Sequence, residues 1–215
     1  MMNNMKRFSI ALLLTLSIVL PSSFAIAFNG FQDAIDHNVL QLALKAYDNA
    51  LRHGIHDDKH VLTIIDYSLP STTNRLWVID VDSKKVLFSS LVAHGKGSGD
   101  NFATHFSNSA RTLASSIGLF LTERTYMGKH GYSLKIKGLE NGFNDRAEER
   151  SIVIHPAAYV SEATVRVLGR LGRSWGCPAL DEKVSKPIIN TIKDGTLVFA
   201  YYPDNHWLRQ STFLN

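Results

Sequence analysis

The chain has 215 residues, 45% of them hydrophobic, with 23 Lys and Arg against 19 Asp and Glu, a formal charge of +4 and one cysteine. This composition excludes a chain that is disordered throughout, and a single cysteine excludes an internal disulfide framework. The basic residues are scattered without a Lys/Arg block, so the footprint of a nucleic-acid groove binder is missing and no nucleic-acid partner is expected.

The N-terminus places Lys6 and Arg7 before an apolar run over 8–20 and closes it with Ala25-Ile26-Ala27. A basic start, an apolar stretch too short to span a bilayer and a small-x-small site read as a secretory signal over residues 1–27, with the mature chain starting at Phe28. An uncleaved anchor helix is the alternative. Removing 1–27 takes away Lys6 and Arg7 but no acid, and leaves a length suited to one domain with a sizeable core and no transmembrane helix. The expected location is the periplasm or the cell-envelope exterior.

Residues 28–60 read as an N-terminal helix and connector, and 61–215 as the main domain. Phe31, Ile35, Val39, Leu42, Ala46, Tyr47, Ala50 and Leu51 recur at three- and four-residue steps, which predicts a helix over 31–53. Asn29 is its expected cap and Gly54 its stop. The cluster "HGIHDDKH" then brings together His53, His56, Asp57, Asp58 and His60. Because Gly54 ends the helix before His56, these side chains do not share a helical face, and a loop rather than a metal site is expected.

Short strands are expected at 61–67, 75–81, 85–92, 118–123, 133–137, 151–155 and 196–202, with a hairpin turn at Asp82-Ser83-Lys84 and a helix over 181–193 closed by Gly195. Between them lies "HGKGSGDNFATHFSNSARTLASS", residues 94–116, without a sustained apolar period. Connections longer than about 12–15 residues are usually functional or disordered. With His94, His105, Phe102 and Phe106 in it, this one is read as a binding loop.

The cysteine, Cys177, sits in "SWGCP". A lone thiol in an exported protein points to intermolecular pairing or to a reactive group, and a free thiol's pKa of about 8.5 means that a nucleophile needs a neighbour to take its proton. Gly176 leaves room for backbone N–H groups to face an oxyanion, and Pro178 is expected to fix the exit of the turn and start a helix whose dipole favours the thiolate. The candidate base is His155, at the end of the apolar run "SIVIH". A small buried hydrophobe for Cys177 and a sheet-edge histidine for His155 are the alternatives.

His155 followed by Ser174-Trp175-Gly176-Cys177 resembles the signature of the murein L,D-transpeptidase catalytic domain family, in which a histidine precedes a Ser/Thr-x-Gly-Cys element. The resemblance extends to "RLWVIDVDSKKVLFSSLVAHG", "SSIGLFLT", "YMGKHGYSLKIKGLENGFN" and "RSIVIHPAAYV", and covers roughly 61–202. It implies a mainly β (α+β), sandwich-like domain with an N-terminal helix and peripheral helices. The implied activity is acyl transfer on peptidoglycan stem peptides, by Cys177 as nucleophile and His155 as base, without metal or cofactor. Gly176 and Cys177 would supply the oxyanion hole and Ser174 would brace the turn. Carbapenem-type β-lactams are the implied inhibitors.

This chain departs from the commoner family pattern in three places. Trp175 stands where many members carry a histidine, and reads as an aromatic wall. Ala179 stands where a basic or amide residue is common, so carboxylate recognition is expected from Arg173 or Arg111, with His94 a further substrate-binding candidate. Pro156 follows the histidine, and its carbonyl is expected to orient the imidazole. Two alternatives stay open: a murein L,D-carboxypeptidase or hydrolase using the same Cys and His, and a non-catalytic wall-binding protein.

Overall fold

The computed structural model describes residues 34–215. The signal segment 1–27 and the expected cap Asn29 lie outside the described residues. Helix α1 (His37–Arg52) is capped by Asp36, whose carboxylate accepts from the Asn38 N–H at 2.9 Å and the Val39 N–H at 3.2 Å. Asp36 thus satisfies the first free donors of the helix, as an N-cap should. Val39, Leu40, Ala43, Ala46, Tyr47 and Ala50 form its buried face, and Gly54, with φ +85°, turns the chain away. The "HGIHDDKH" stretch is a loop held by Asp57, which accepts from the Tyr47 hydroxyl at 3.2 Å and the Val61 N–H at 3.0 Å.

The strands are β1 (Val61–Asp66), β2 (Leu76–Asp80), β3 (Lys85–Ser90), β4 (Val92–Ala93), β5 (Gly118–Gly128), β6 (Gly131–Gly138), β7 (Val153–Pro156), β8 (Ala179–Leu180) and β9 (Leu197–Tyr201). They form one nine-stranded sheet in the order β3-β2-β1-β9-β5-β6-β7-β8-β4, curling towards a barrel. Alternation along the central strands divides the core. Leu62, Ile64, Leu197 and Phe199 face α1 and Trp207, whereas Val61, Ile65, Val198 and Ala200 join Ile188, Ile189 and Ile192 of α3 (Glu182–Ile192). Side chains that alternate across a pleated strand give each face its own apolar layer. The mainly β, α+β architecture is therefore as expected.

Three elements lack a sequence-level expectation: α2 (Glu162–Leu168), the two-residue β8, and α4 (Asn205–Gln210). Helix α4 is fixed by Trp207, which is fully buried and donates from Nε1 to the buried Glu140 carboxylate at 3.0 Å. Burial raises the pKa of Glu140. Strands β5 and β6 also run further than expected, with a bulge between Thr122 and Thr125, and their tip carries Lys129 and His130. No helix of the described residues is long and apolar enough to cross a membrane.

Candidate functional site

Strand β7 places the candidate base. His155 pairs in parallel with Ala179 of β8, and its N–H donates to the Pro178 carbonyl at 3.3 Å. Cys177 therefore leads directly into the strand beside His155, and both side chains line one cavity of about 460 Å³. Pro178 does not start a helix, correcting the sequence expectation. It leads into β8, and α3 begins only at Glu182, capped by Asp181, so no helix dipole acts at the thiol.

The turn before the thiol is held by one hydroxyl. Ser174 Oγ donates to the Cys177 carbonyl at 2.6 Å and accepts from the Gly176 N–H at 3.1 Å. This corrects the expectation for Gly176, because its N–H is already bound. The Cys177 N–H donates to no other protein group among the described residues, and it is the donor left at the turn. Gly176 is needed for its shape: its φ is +127°, and a Cβ there would meet the Ala114 carbonyl at 2.9 Å.

Apart from Lys96, which lies against Trp175 at the cavity wall, the 94–116 segment stays clear of the cavity, contrary to its reading as a binding loop. It is the seat beneath the turn. Ser174 N–H donates to the His94 carbonyl at 3.0 Å, and Lys96 N–H donates to the Ser174 carbonyl at 2.9 Å. Ser115 Oγ accepts from Gly95 N–H at 3.0 Å and donates to the Gly176 carbonyl at 2.9 Å. Gly95 passes so close that a Cβ would lie 2.7 Å from Gly176 Cα. From the far side, Arg150 ties the segment down through the Ser107 carbonyl at 2.5 Å, the Ala114 carbonyl at 2.5 Å and Ser116 Oγ at 2.6 Å. A guanidinium suits this task because its donors are fixed in a planar fork.

Two expected substrate-binding residues are elsewhere. His94 is fully buried, with Nδ1 2.7 Å from an Arg75 guanidinium nitrogen and Nε2 3.4 Å from the Gly99 carbonyl. Since a guanidinium only donates, Nδ1 accepts and the ring is neutral. Burial, and then the charge of Arg75, lower its pKa to about 4. Arg111 is exposed on the segment's outer turn, with φ +64°, and takes no part in the cavity lining. Arg173 does line the cavity, but its guanidinium donates to the Asp100 carboxylate at 2.6 Å and the Gly99 carbonyl at 2.9 Å. Trp175 stands at the cavity wall, 68% exposed.

The structure adds residues that the sequence reading missed: Tyr126, Lys129, His130, Arg150, Ser151, Val153 and Tyr159 complete the lining. His130 stacks on His155, centroids 4.4 Å apart and planes 27° off parallel. A signal for it was present in "GKHG", two residues between glycines that join two strand-like runs, a hairpin pattern. A second cavity of about 580 Å³ shares Lys129, His130 and Tyr159 and is lined beyond them by Pro156, Glu182 and Ser185.

The electrostatics give a neutral resting pair. Burial raises the pKa of the Cys177 thiol, against the opposing effects of the Val153 N–H, Arg150 and Lys129. Burial lowers that of His155, helped by His130 and Lys129 and opposed by the bond of Nδ1 to the Pro156 carbonyl at 2.9 Å. That bond leaves Nε2 as the acceptor. Sγ accepts from Val153 N–H at 3.5 Å and lies 3.7 Å from the Ser151 carbonyl, with no hydrogen bond to the imidazole.

The sequence matches the family model for the L,D-transpeptidase catalytic domain over residues 32–201. No curated protein matches it. Among solved structures it is similar to an L,D-transpeptidase from Mycobacterium smegmatis, with 12% identity, a TM-score of 0.42, and coverage of 66% of this chain and 59% of that one. L,D-transpeptidase 3 from Mycobacterium tuberculosis, in complex with a faropenem-derived adduct, gives 11%, 0.43, 66% and 60%. An L,D-transpeptidase from Stackebrandtia nassauensis gives 18%, 0.37, 77% and 68%. The chain thus spans less than two thirds of the first two relatives. Matched by the family model from residue 32 to residue 201, the chain belongs to the L,D-transpeptidase catalytic domain family.

Proposed function

We propose that this chain is an exported peptidoglycan L,D-transpeptidase that works outside the cytoplasm with Cys177 as nucleophile. The observation that carries the reading is the opening of Cys177 and His155 into one cavity, with the imidazole oriented by the Pro156 carbonyl. Donor stem peptide enters the cavity and presents the carbonyl of the L-centre of diaminopimelate to Sγ. With thiol and imidazole both neutral at rest, His155 Nε2 takes the proton as the S–C bond forms, so general-base attack replaces a preformed ion pair. The thiol must leave the Ser151 carbonyl for this transfer.

The Cys177 N–H stabilises the oxyanion, and Ser174 keeps the turn in shape through its two hydrogen bonds. The proton on His155 passes to the departing D-alanine amine, leaving a thioester. An acceptor amine then attacks it, and the second cavity, which shares Lys129 and His130 with the first and is also lined by Glu182, is the proposed approach; His155 takes the amine's proton and the thiolate leaves. The same thiol is the proposed target of carbapenem-type β-lactams.

Mass spectrometry of the purified protein with muropeptide tetrapeptides tests this, wild type against Cys177→Ala. Cross-linked dimers that have lost D-alanine, formed only by wild type, are expected. Tripeptides without dimers would make it the carboxypeptidase or hydrolase, and unchanged substrate in both samples would overturn acyl transfer in favour of wall binding.

A further inference from the structure

Three basic side chains line the Cys177 cavity, Lys129, Arg150 and Arg173, and a fourth, Lys96, lies against Trp175 at its wall; two of the four are already committed. Arg150 is held by the Ser107 and Ala114 carbonyls and Ser116 Oγ, and Arg173 by Asp100 and the Gly99 carbonyl. Lys96 and Lys129 differ. Their ammonium nitrogens lie 5.8 and 5.4 Å from the centroid of the Trp175 indole, and neither is in an ion pair among the described residues.

Trp175, 68% exposed, fills no core. Attraction between ammonium and indole face holds both lysines over one ring and reduces the freedom lost when they grip a ligand. The cavity lining contains no Asp or Glu, so an entering anion meets cations, tyrosine hydroxyls and an aromatic wall. The other arginine expected to read a carboxylate, Arg111, is absent from that lining, and position 179 is the fully buried Ala179. A lysine is a compact point charge, suited to one carboxylate rather than to a bidentate fork. Tyr126, Val153, Tyr159 and Trp175 give the rest of the wall an apolar character that fits a short peptide better than a polyphosphate.

We propose that Lys96 and Lys129, braced on Trp175, form a carboxylate-reading rim through which the cavity selects acyl donors that carry a free carboxylate. This inference rests on the acyl-transfer reading above and names the donor feature that the site recognises.

Two measurements test it separately from that reading. The first is the ratio of Cys177 alkylation rates with iodoacetate, an anion, and iodoacetamide, its neutral counterpart. In wild type at low ionic strength the ratio should exceed that of Lys96→Gln/Lys129→Gln by roughly two- to threefold per lysine, about sixfold for the pair, as expected for unit charges on the order of 8 Å away in a largely aqueous setting. The Lys96→Arg/Lys129→Arg variant should keep the high ratio, and salt at about 1 M should erase it. Both lysines are exposed, so the variants are expected to fold. A ratio unchanged by the glutamines overturns the rim.

The second measurement compares kcat/KM for tetrapeptide donors whose diaminopimelate carboxylate is free or amidated. Wild type should favour the free form about tenfold and the double glutamine variant should not, with the change in KM. Equal use of both donors by wild type overturns donor selection. Loss of the alkylation ratio in the glutamine variant, with no Cys177-dependent product from either donor, supports the anion-selective rim and overturns acyl transfer instead.

Discussion

His94 makes the stability of this protein depend on pH in a way that one substitution isolates. Its ring is buried neutral between Arg75 and the Gly99 carbonyl, with its pKa lowered from 6.5 to about 4. In the unfolded chain it titrates near 6.5, so between pH 6.5 and 4 the unfolded state binds a proton that the native state refuses. Stability contributed by the neutral ring is complete above the unfolded pKa and is lost as pH falls, because protonation pulls the chain towards the unfolded state. At 1.36 kcal/mol per pKa unit the loss comes to about 3 kcal/mol, a large share of the 5–15 kcal/mol typical of a domain. His94→Gln removes the titration while keeping an acceptor for Arg75 and a donor for Gly99. Urea unfolding of both proteins from pH 7 to pH 4 should show wild type losing about 3 kcal/mol more than the variant. His155 and Glu140, which also shift, are common to both proteins and cancel in the difference. Parallel pH profiles would refute the buried neutral ring.

Ser174→Ala leaves the Gly176 N–H buried without its acceptor and should cost about 1–3 kcal/mol by thermal or urea unfolding; Ser174→Thr should retain most of the stability and of any Cys177-dependent turnover. Arg150→Ala removes three hydrogen bonds to the 94–116 segment and should cost about 2–4 kcal/mol. It also removes a charge that favours the thiolate, so the pH midpoint of Cys177 alkylation by iodoacetamide should move up. Trp207→Ala empties a fully buried site and removes the indole donor to Glu140 Oε2, leaving the carboxylate its bond from the Leu119 N–H, with an expected loss of about 3–5 kcal/mol in the same unfolding measurements.

Which parts of this architecture can be read in the sequence follows from the physics of each part. The central strands and α1 are legible because burial imposes a period: Leu62 and Ile64 face one layer while Val61 and Ile65 face the other. The outer halves of β5 and β6 are not, since Arg124 and Met127 of β5 are exposed, as is Lys129 in the turn between the strands, and no period survives. Helices α2 and α4 are seven and six residues long, too short for a helical period to stand out. The sequence of the turn brings Cys177 and His155 into question as a pair, but histidine and arginine have both buried and catalytic uses that local sequence does not separate. His94 and Arg75 are inside for that reason, where they hold up the segment beneath the turn. Pro178 misleads because proline opens a strand here as readily as a helix.

The opposite shifts of Cys177 and His155 also bear on how a thiol survives outside the cytoplasm, where this chain is proposed to work. Oxidation of cysteine proceeds through the thiolate, so a group kept neutral by burial is oxidised more slowly than one poised as an ion pair. That protection has a chemical cost, because the thiol is then a weak nucleophile until a base removes its proton. The proposed mechanism meets both demands by separating them. At rest Sγ contacts the Ser151 carbonyl and the Val153 N–H and makes no hydrogen bond to the imidazole, while burial favours a neutral His155 whose Nδ1 is bound to the Pro156 carbonyl. In the acyl-transfer mechanism proposed above, deprotonation awaits a donor that brings the thiol to the base. A cysteine turned permanently onto an imidazolium would gain reactivity towards peroxide and donor alike. Under the proposed mechanism, a resting pair that is neutral and not hydrogen-bonded reserves that reactivity for the donor.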